Sequence, residues 1–275
     1  MKVLVFGAKG MLGYAMHSYF ERQGQEVKAM GREDFDIARD PISNIESLVT
    51  WSDAVINCAG VIKPLIAKTP IEDVLKVNAV FPRNLANLCE RHSKMCFHVT
   101  TDCVYSGRKG TYSETDAFDA EDVYGLSKNA GDAADAMVLR TSIVGEEKYA
   151  KRSLLEWARS QSGKEVSGFV NHSWNGVTTV FLAEIIETII KRGLYEKGIF
   201  HVHSPQAVTK LELLQIFNEV YDLHLKINAV EASEFCDRTL NSGRPLTQLV
   251  CTKPLPTQIQ EMRKFFQQAS PASSR

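Results

Sequence analysis

Lys2-Val3-Leu4-Val5-Phe6-Gly7-Ala8-Lys9-Gly10-Met11-Leu12-Gly13 is the stretch whose reading decides the fold. After Lys2 the first residues are β-branched, aliphatic or aromatic, the composition of a strand buried on both faces. Gly7, Gly10 and Gly13 then follow in a G-x-x-G-x-x-G spacing, and apolar residues of helical period begin at Met11. Glycines at the end of a strand allow a tight turn and let backbone amides approach an anion, while the start of the helix adds partial positive charge. Strand, glycine turn and helix in that order predict the first unit of a dinucleotide-binding sheet.

Working outward, strands are expected at Glu26 to Met30, Asp53 to Gly60, Cys96 to Thr100 and Met137 to Val144. Helices are expected at Met11 to Gln23, Ile42 to Val49, Ile71 to His92 and Val123 to Ala136. Apolar strands alternating with amphipathic helices imply an α/β fold, a Rossmann-like doubly wound parallel sheet covered on both faces. Beyond Gly145 the alternation weakens: helices at Arg152 to Ser160, Thr178 to Lys191 and Lys210 to Tyr221, short strands near Val166 to Val170 and Gly198 to His203, and a loop at Asn171 to Gly176. Residues 1–145 are therefore expected to form the dinucleotide-binding domain. Residues 146–268 would form mainly a smaller C-terminal substrate-binding lobe with some elements returning to the sheet, and residues 269–275 a flexible tail.

Composition narrows the classes of function. Of 275 residues, 44% are hydrophobic and 24% charged, the balance of a globular protein. A net charge of −1 gives no bulk attraction to nucleic acid or to an anionic membrane, so anion binding must come from a local site. No apolar run reaches the roughly 20 residues of a spanning helix. The apolar start runs straight into the glycine turn rather than forming a leader, so a cytoplasmic location is expected. Cys58, Cys89, Cys96, Cys103, Cys236 and Cys251 show no metal-ligand spacing with histidine; reduced thiols and no metal site are expected.

Cofactor choice follows from charge. The second strand ends at Gly31-Arg32, where an NAD site would place a carboxylate for the ribose 2′-hydroxyl. A guanidinium suits a 2′-phosphate instead, and Lys9 adds a second cation, so NADPH is expected. Glu33 and Asp34 keep NADH open. Tyr124-Gly125-Leu126-Ser127-Lys128 places a phenol and an ammonium four residues apart on one face of a helix. Carbonyl reduction needs a proton for the oxygen, and a neighbouring ammonium lowers the phenol pKa from about 10. A second copy, Tyr105 to Lys109, contains Gly107 and follows a strand directly, so a loop is expected there and no shared face.

The G-x-x-G-x-x-G turn resembles that of extended short-chain dehydrogenases/reductases. Thr100-Thr101-Asp102-Cys103-Val104-Tyr105-Ser106-Gly107 followed by Tyr124-Gly125-Leu126-Ser127-Lys128 is similar to dTDP-4-dehydrorhamnose reductases, closely over residues 1–145 and loosely after them. The resemblance implies Thr101, Tyr124 and Lys128 as the catalytic set, with Thr100 as the fallback hydroxyl. It also implies contacts to the cofactor from Gly7, Lys9, Gly10, Met11, Leu12, Gly13, Arg32, Asp36, Ile37, Cys58, Ala59 and Gly60, as well as from Tyr124 and Lys128. Contacts to a nucleotide-sugar substrate are expected from Lys63, Cys103, Asn171, Trp174, Asn175 and Arg244.

The implied activity is NADPH-dependent reduction of a C4 keto group on a nucleotide-activated deoxysugar, in the setting of surface-polysaccharide synthesis. Pairing of two copies through a helix bundle is left open. Two alternatives stay beside it. Cys103 stands where epimerase–reductases carry a cysteine, with His172 as the available acid partner. A non-catalytic dinucleotide-binding regulatory subunit also has this framework.

Overall fold

Five strands of the first half pair in parallel because each is returned by a helix; the inner four are apolar on both faces, while the edge strand exposes Glu26 and Lys28. They are β1 (Lys2–Phe6), β2 (Glu26–Met30), β3 (Ala54–Asn57), β4 (Met95–Thr101) and β5 (Met137–Thr141). The computed structural model, which describes residues 1–268, adds Gly198–His201 beyond β5 as a sixth strand. Across the sheet the order is Gly198–His201, β5, β4, β3, β1, β2, all parallel. The segment 269–275, expected to fray, lies outside the described residues.

Successive side chains along a strand face opposite layers. Val3, Val5, Ile56, Phe97 and Leu139 pack under the helices Met11–Arg22, Thr179–Lys191 and Leu255–Gln267. Leu4, Phe6, Val55 and Cys96 face Phe81, Leu85 and Leu88 on the other side. The strand order reverses at β1, which has β2 on one side and β3 on the other. In open parallel sheets a ligand crevice lies at that point, outside the carboxyl ends of the strands.

Three expected elements differ in form. The helix over Ile71 to His92 is interrupted: Ile71–Leu75 and Phe81–Arg91 flank a π-helical segment, Lys76–Val80. Pro82 has no N–H to bond the Asn78 carbonyl four residues back, and a wider turn accommodates that loss. The helix expected to reach Ala136 ends at Gly131, because Asp132 turns inward to a buried arginine. The strand expected over Met137 to Val144 leaves the main sheet at Thr141. Ile143–Val144 instead pairs with Val177–Thr178 and carries the chain into the lobe.

The lobe itself holds a three-stranded sheet of Val208–Thr209, His172–Trp174 and Cys236–Asp237, and a parallel pair of Glu165–Phe169 with Lys226–Val230. His172–Trp174 lies where a loop was expected. Among the described residues no helix is long and apolar enough to cross a membrane.

Candidate active site

The glycine turn is built by close approach. Gly7 has φ 84°, and a Cβ there would lie 2.9 Å from the Ala59 amide nitrogen; a Cβ on Gly13 would lie 2.1 Å from the Gly7 carbonyl oxygen. Any side chain at either point would push the turn off β3 or off its own helix. The amides of Gly7 and Ala8 both donate to the Met30 carbonyl at 3.0 and 3.1 Å, tying the turn to the end of β2. The helix Met11–Arg22 starts at Gly10 with no side chain capping its leading amides, so its positive end is open to an anion.

Two cavities meet at this turn. One, of about 300 Å³, is walled by Gly7, Arg32, Asp36 and Ile37 among others. The second, of about 520 Å³, is walled by Met11, Leu12, Thr101, Cys103, Tyr124 and Lys128 among others. Lys9, Gly10, Cys58, Ala59 and Gly60 belong to both walls. Two cavities joined over an uncapped helix start fit a dinucleotide, with one nucleoside on each side of the phosphates. Gly13 lines neither cavity and serves the turn alone.

Carboxylates already occupy the cations of the first cavity. Arg32 Nε lies 3.2 Å from Asp36 Oδ2, and Arg39 approaches the same oxygen at 3.4 Å. Burial works to raise the Asp36 carboxyl, but the Ala38 amide and the two guanidiniums hold it below its ordinary value. Lys9 is ion-paired with Glu33, which keeps Glu33 below the usual carboxylate range.

Tyr124 and Lys128 come from the helix Val123–Gly131, whose start is fixed by Asp122 accepting the Gly125 amide at 2.7 Å. Thr101 ends β4; its hydroxyl accepts the Cys103 amide at 3.1 Å and donates to Asp102 at 3.2 Å. Lys128 is buried, donates to the Val99 carbonyl at 3.4 Å, and has its ammonium beside Gly60. Burial pulls Lys128 below its ordinary pKa, with Asp132 and Cys58 opposing. Burial, with Cys103 and Asp102, pushes the Tyr124 phenol above its ordinary value, while the neighbouring Thr101 hydroxyl works the other way. The acidification of Tyr124 by Lys128 expected from the spacing is not found: desolvation dominates and the phenol moves the other way. At neutral pH the phenol keeps its proton, which is the state a general acid requires.

The second copy of the motif, Tyr105 to Lys109, lies outside any helix and its side chains are engaged elsewhere. Tyr105 is fully buried, stacked on Tyr112 with centroids 4.2 Å apart, and donates to the Ser113 carbonyl. Lys109 is ion-paired with Asp116.

The lobe residues expected at the sugar are placed elsewhere. Trp174 is 5% exposed and sits in the main core cluster. Asn175 is buried and brackets Leu240, accepting its amide at 2.9 Å and donating to its carbonyl at 2.7 Å. Asn171 does the same to Ala232, and Arg244 lies over the Phe200 ring at 4.5 Å. None of the four lines either cavity, since each is committed to holding a loop or packing the core. Lys63 does line the second cavity and pairs with Asp122 at 2.7 Å. Cys103 also lines it, with its thiol pushed up to about 12 by burial and Asp102. His172 has Nε2 2.9 Å from the Glu234 carbonyl oxygen.

Sequence reading passed over Asn78. It is buried in the π-helical segment, accepts the Val61 amide at 2.8 Å, and donates to the Val61 carbonyl at 3.0 Å and to Ser127 at 3.1 Å. It therefore fixes the loop after β3 against the helix that carries Tyr124. The signal was Pro82, four residues on, inside an otherwise continuous helical pattern. Glu147, Ala150 and Arg152, which also wall the second cavity, belong to no motif in the sequence; Arg152 was expected only as the start of a helix. Among the described residues no cluster of His, Cys, Asp or Glu is arranged to hold a metal ion.

Over residues 1–270 the chain matches the family model described as RmlD substrate binding domain. It is 32% identical over 154 residues to dTDP-4-dehydrorhamnose reductase of Mycobacterium tuberculosis (strain CDC 1551 / Oshkosh). That match covers 52% of this chain and spans about half (50%) of the relative's length. It is 26% identical over 248 residues to methionine adenosyltransferase 2 subunit beta of Danio rerio, covering 81% of this chain and 74% of that one. Among solved structures, dTDP-4-dehydrorhamnose reductase from Bacillus anthracis str. Ames in complex with NADP aligns with a TM-score of 0.77 at 19% identity, covering 97% and 99% of the two chains. At that identity the likeness is one of fold.

Proposed function

Because the chain belongs to the RmlD substrate binding domain family, we propose that it is an NADPH-dependent reductase acting on the C4 keto group of a nucleotide-activated deoxysugar, in surface-polysaccharide synthesis. The observation supporting this reading is that Thr101, Tyr124 and Lys128 wall one cavity together with the start of the glycine-turn helix. The glycine turn with Cys58, Ala59 and Gly60, which line both cavities, would hold a dinucleotide, and that group would supply the hydride for the carbonyl carbon. Tyr124, kept protonated by its burial, delivers the proton to the carbonyl oxygen. Thr101 exchanges its bond to Asp102 for one to the same oxygen and polarises it. Lys128, beside Gly60, holds a ribose hydroxyl of the cofactor and returns positive charge to the phenol as the proton leaves. Cys103 serves as a wall for the sugar, since a thiol pushed up to about 12 stays protonated at neutral pH and has no thiolate with which to take a proton.

One observation favours a second reading, the likeness to a methionine adenosyltransferase subunit named above: a dinucleotide-binding subunit without catalysis. Mixing purified protein with NADPH and a dTDP-4-keto-6-deoxysugar separates the two. Loss of dihydronicotinamide absorbance on the timescale of turnover is the expected result. Tight NADPH binding with no absorbance change across dTDP-, UDP-, GDP- and CDP-linked keto sugars would favour the regulatory subunit. A Cys103→Ser variant that still reduces the keto sugar but loses proton exchange at C3 or C5 would restore the epimerase alternative.

A further inference from the structure

Four cations wall the second cavity: Lys9, Lys63, Lys128 and Arg152. Three are already engaged, Lys9 by Glu33, Lys63 by Asp122 and Lys128 by the Val99 carbonyl. Arg152 differs. Its backbone amide is bound by the Glu147 carboxylate, but among the described residues its guanidinium has no ion-pair or hydrogen-bond partner.

The loop carrying it is nevertheless well fixed. Glu147 also accepts the Ser153 amide at 3.2 Å, the Ser153 hydroxyl donates to the Gly145 carbonyl at 3.2 Å, and Ser153 caps the helix Leu154–Ser160. Lys151, next to Arg152, takes the left-handed conformation with φ 50°, which a lysine adopts only where the surrounding bonds require it. An arginine is thus presented by a fixed turn to a cavity whose wall also contains Lys9, Gly10, Met11 and Leu12. Those residues are the uncapped start of the first helix.

We propose that Arg152 is a cofactor-binding residue that clamps the diphosphate of the dinucleotide from the lobe side, while the glycine-turn amides hold it from the sheet side. A guanidinium matches phosphoryl oxygens in paired hydrogen bonds, and a helix start supplies the complementary donors. The cofactor's diphosphate is the anion proposed, because the helix start in the same wall supplies the complementary donors; the wall also holds Lys63, Cys103 and Tyr124, so the substrate's diphosphate is the competing ligand that the titrations below separate. This inference rests on the dinucleotide-binding reading above.

Equilibrium titrations of wild type and Arg152→Gln with NADPH, NADH, ADP-ribose and adenosine 2′-monophosphate test it. A charged hydrogen bond lost from each diphosphate should weaken NADPH, NADH and ADP-ribose about tenfold or more, all alike. Adenosine 2′-monophosphate, which lacks the diphosphate, should bind both proteins equally. An unchanged thermal midpoint of the ligand-free variant excludes a folding effect, as expected for an exposed side chain. Equal affinities of both proteins for ADP-ribose would overturn the proposal. So would a loss confined to dTDP and dTDP-sugars measured in the presence of NADP, which would assign Arg152 to the substrate. Failure of the wild type to bind any dinucleotide would instead remove the functional reading on which the inference stands.

Discussion

At Tyr124 the decisive quantity is the position of one proton. The phenol is held above its ordinary pKa by burial, so Tyr124→Phe removes an acid that is present at neutral pH. Turnover of a keto-sugar substrate should fall by about 10² to 10⁴, with NADPH affinity by fluorescence titration nearly unchanged; loss of cofactor binding would contradict the assignment. Arg32 poses a different test, because its guanidinium is 75% exposed and shared with Asp36. If it exchanges that carboxylate for a 2′-phosphate, Arg32→Ala should weaken NADPH about tenfold or more and leave NADH within about twofold. Equal weakening of both would remove the cofactor preference. Trp174 is a matter of packing: Trp174→Ala should cost about 3–5 kcal/mol in denaturant unfolding. An unchanged unfolding midpoint with a raised KM for a nucleotide sugar would return it to the substrate.

Between elements, a buried polar network joins the end of the Tyr124 helix to β5 and to the edge strand Gly198–His201. Arg140, fully buried, donates to Asp132 at 2.8 and 3.2 Å, to Tyr105 at 2.9 Å and to His201 Nε2 at 3.0 Å. Since arginine only donates, His201 Nε2 must accept, and its Nδ1–H points to the carbonyls of Tyr112 and Asn241 at 3.1 and 2.8 Å. That arrangement requires a neutral ring, and burial with Arg140 lowers His201 from 6.5 to about 4. The unfolded chain therefore binds a proton near pH 6.5 that the folded chain refuses until about pH 4. The stability contributed by the neutral ring is present above pH 6.5 and is lost as pH falls through that window, on the order of 3 kcal/mol. Urea unfolding at pH 7 and pH 5 measures it, and His201→Gln should flatten the dependence. Arg140→Met leaves Asp132 buried without its partner and should cost about 3–5 kcal/mol; a loss below about 1 kcal/mol would mean that water enters the network.

Over the whole molecule, the C-terminal helix Leu255–Gln267 closes the structure on its first helix. Phe266 stacks on Tyr14 at 5.7 Å, and Ile259 and Met262 are fully buried in the main core. Met262→Ala, far in sequence from the glycine turn, should cost about 2–5 kcal/mol in a single cooperative transition. A separate early transition would show that the C-terminal helix unfolds independently. Saturating dinucleotide at about 100 times its Kd should add about 2.7 kcal/mol to the same transition.

At this scale the division between what sequence and structure each decide is clear. The parallel sheet, the glycine turn and the Tyr124–Lys128 face were legible because they depend on local periodicity and on residue spacings of three and four, which the backbone converts directly into geometry. The interruption at Lys76–Val80 could have been read from Pro82 by the same local logic. Which lobe residues face the cavity was not legible. Trp174 and Asn175 look like sugar contacts in the sequence but are spent on the core and on Leu240, while Arg152, expected only as the start of a helix and outside every motif, reaches the cavity wall. Those assignments depend on contacts between segments tens to hundreds of residues apart, and only the packed chain, where burial and hydrogen-bond partners compete for each side chain, decides them.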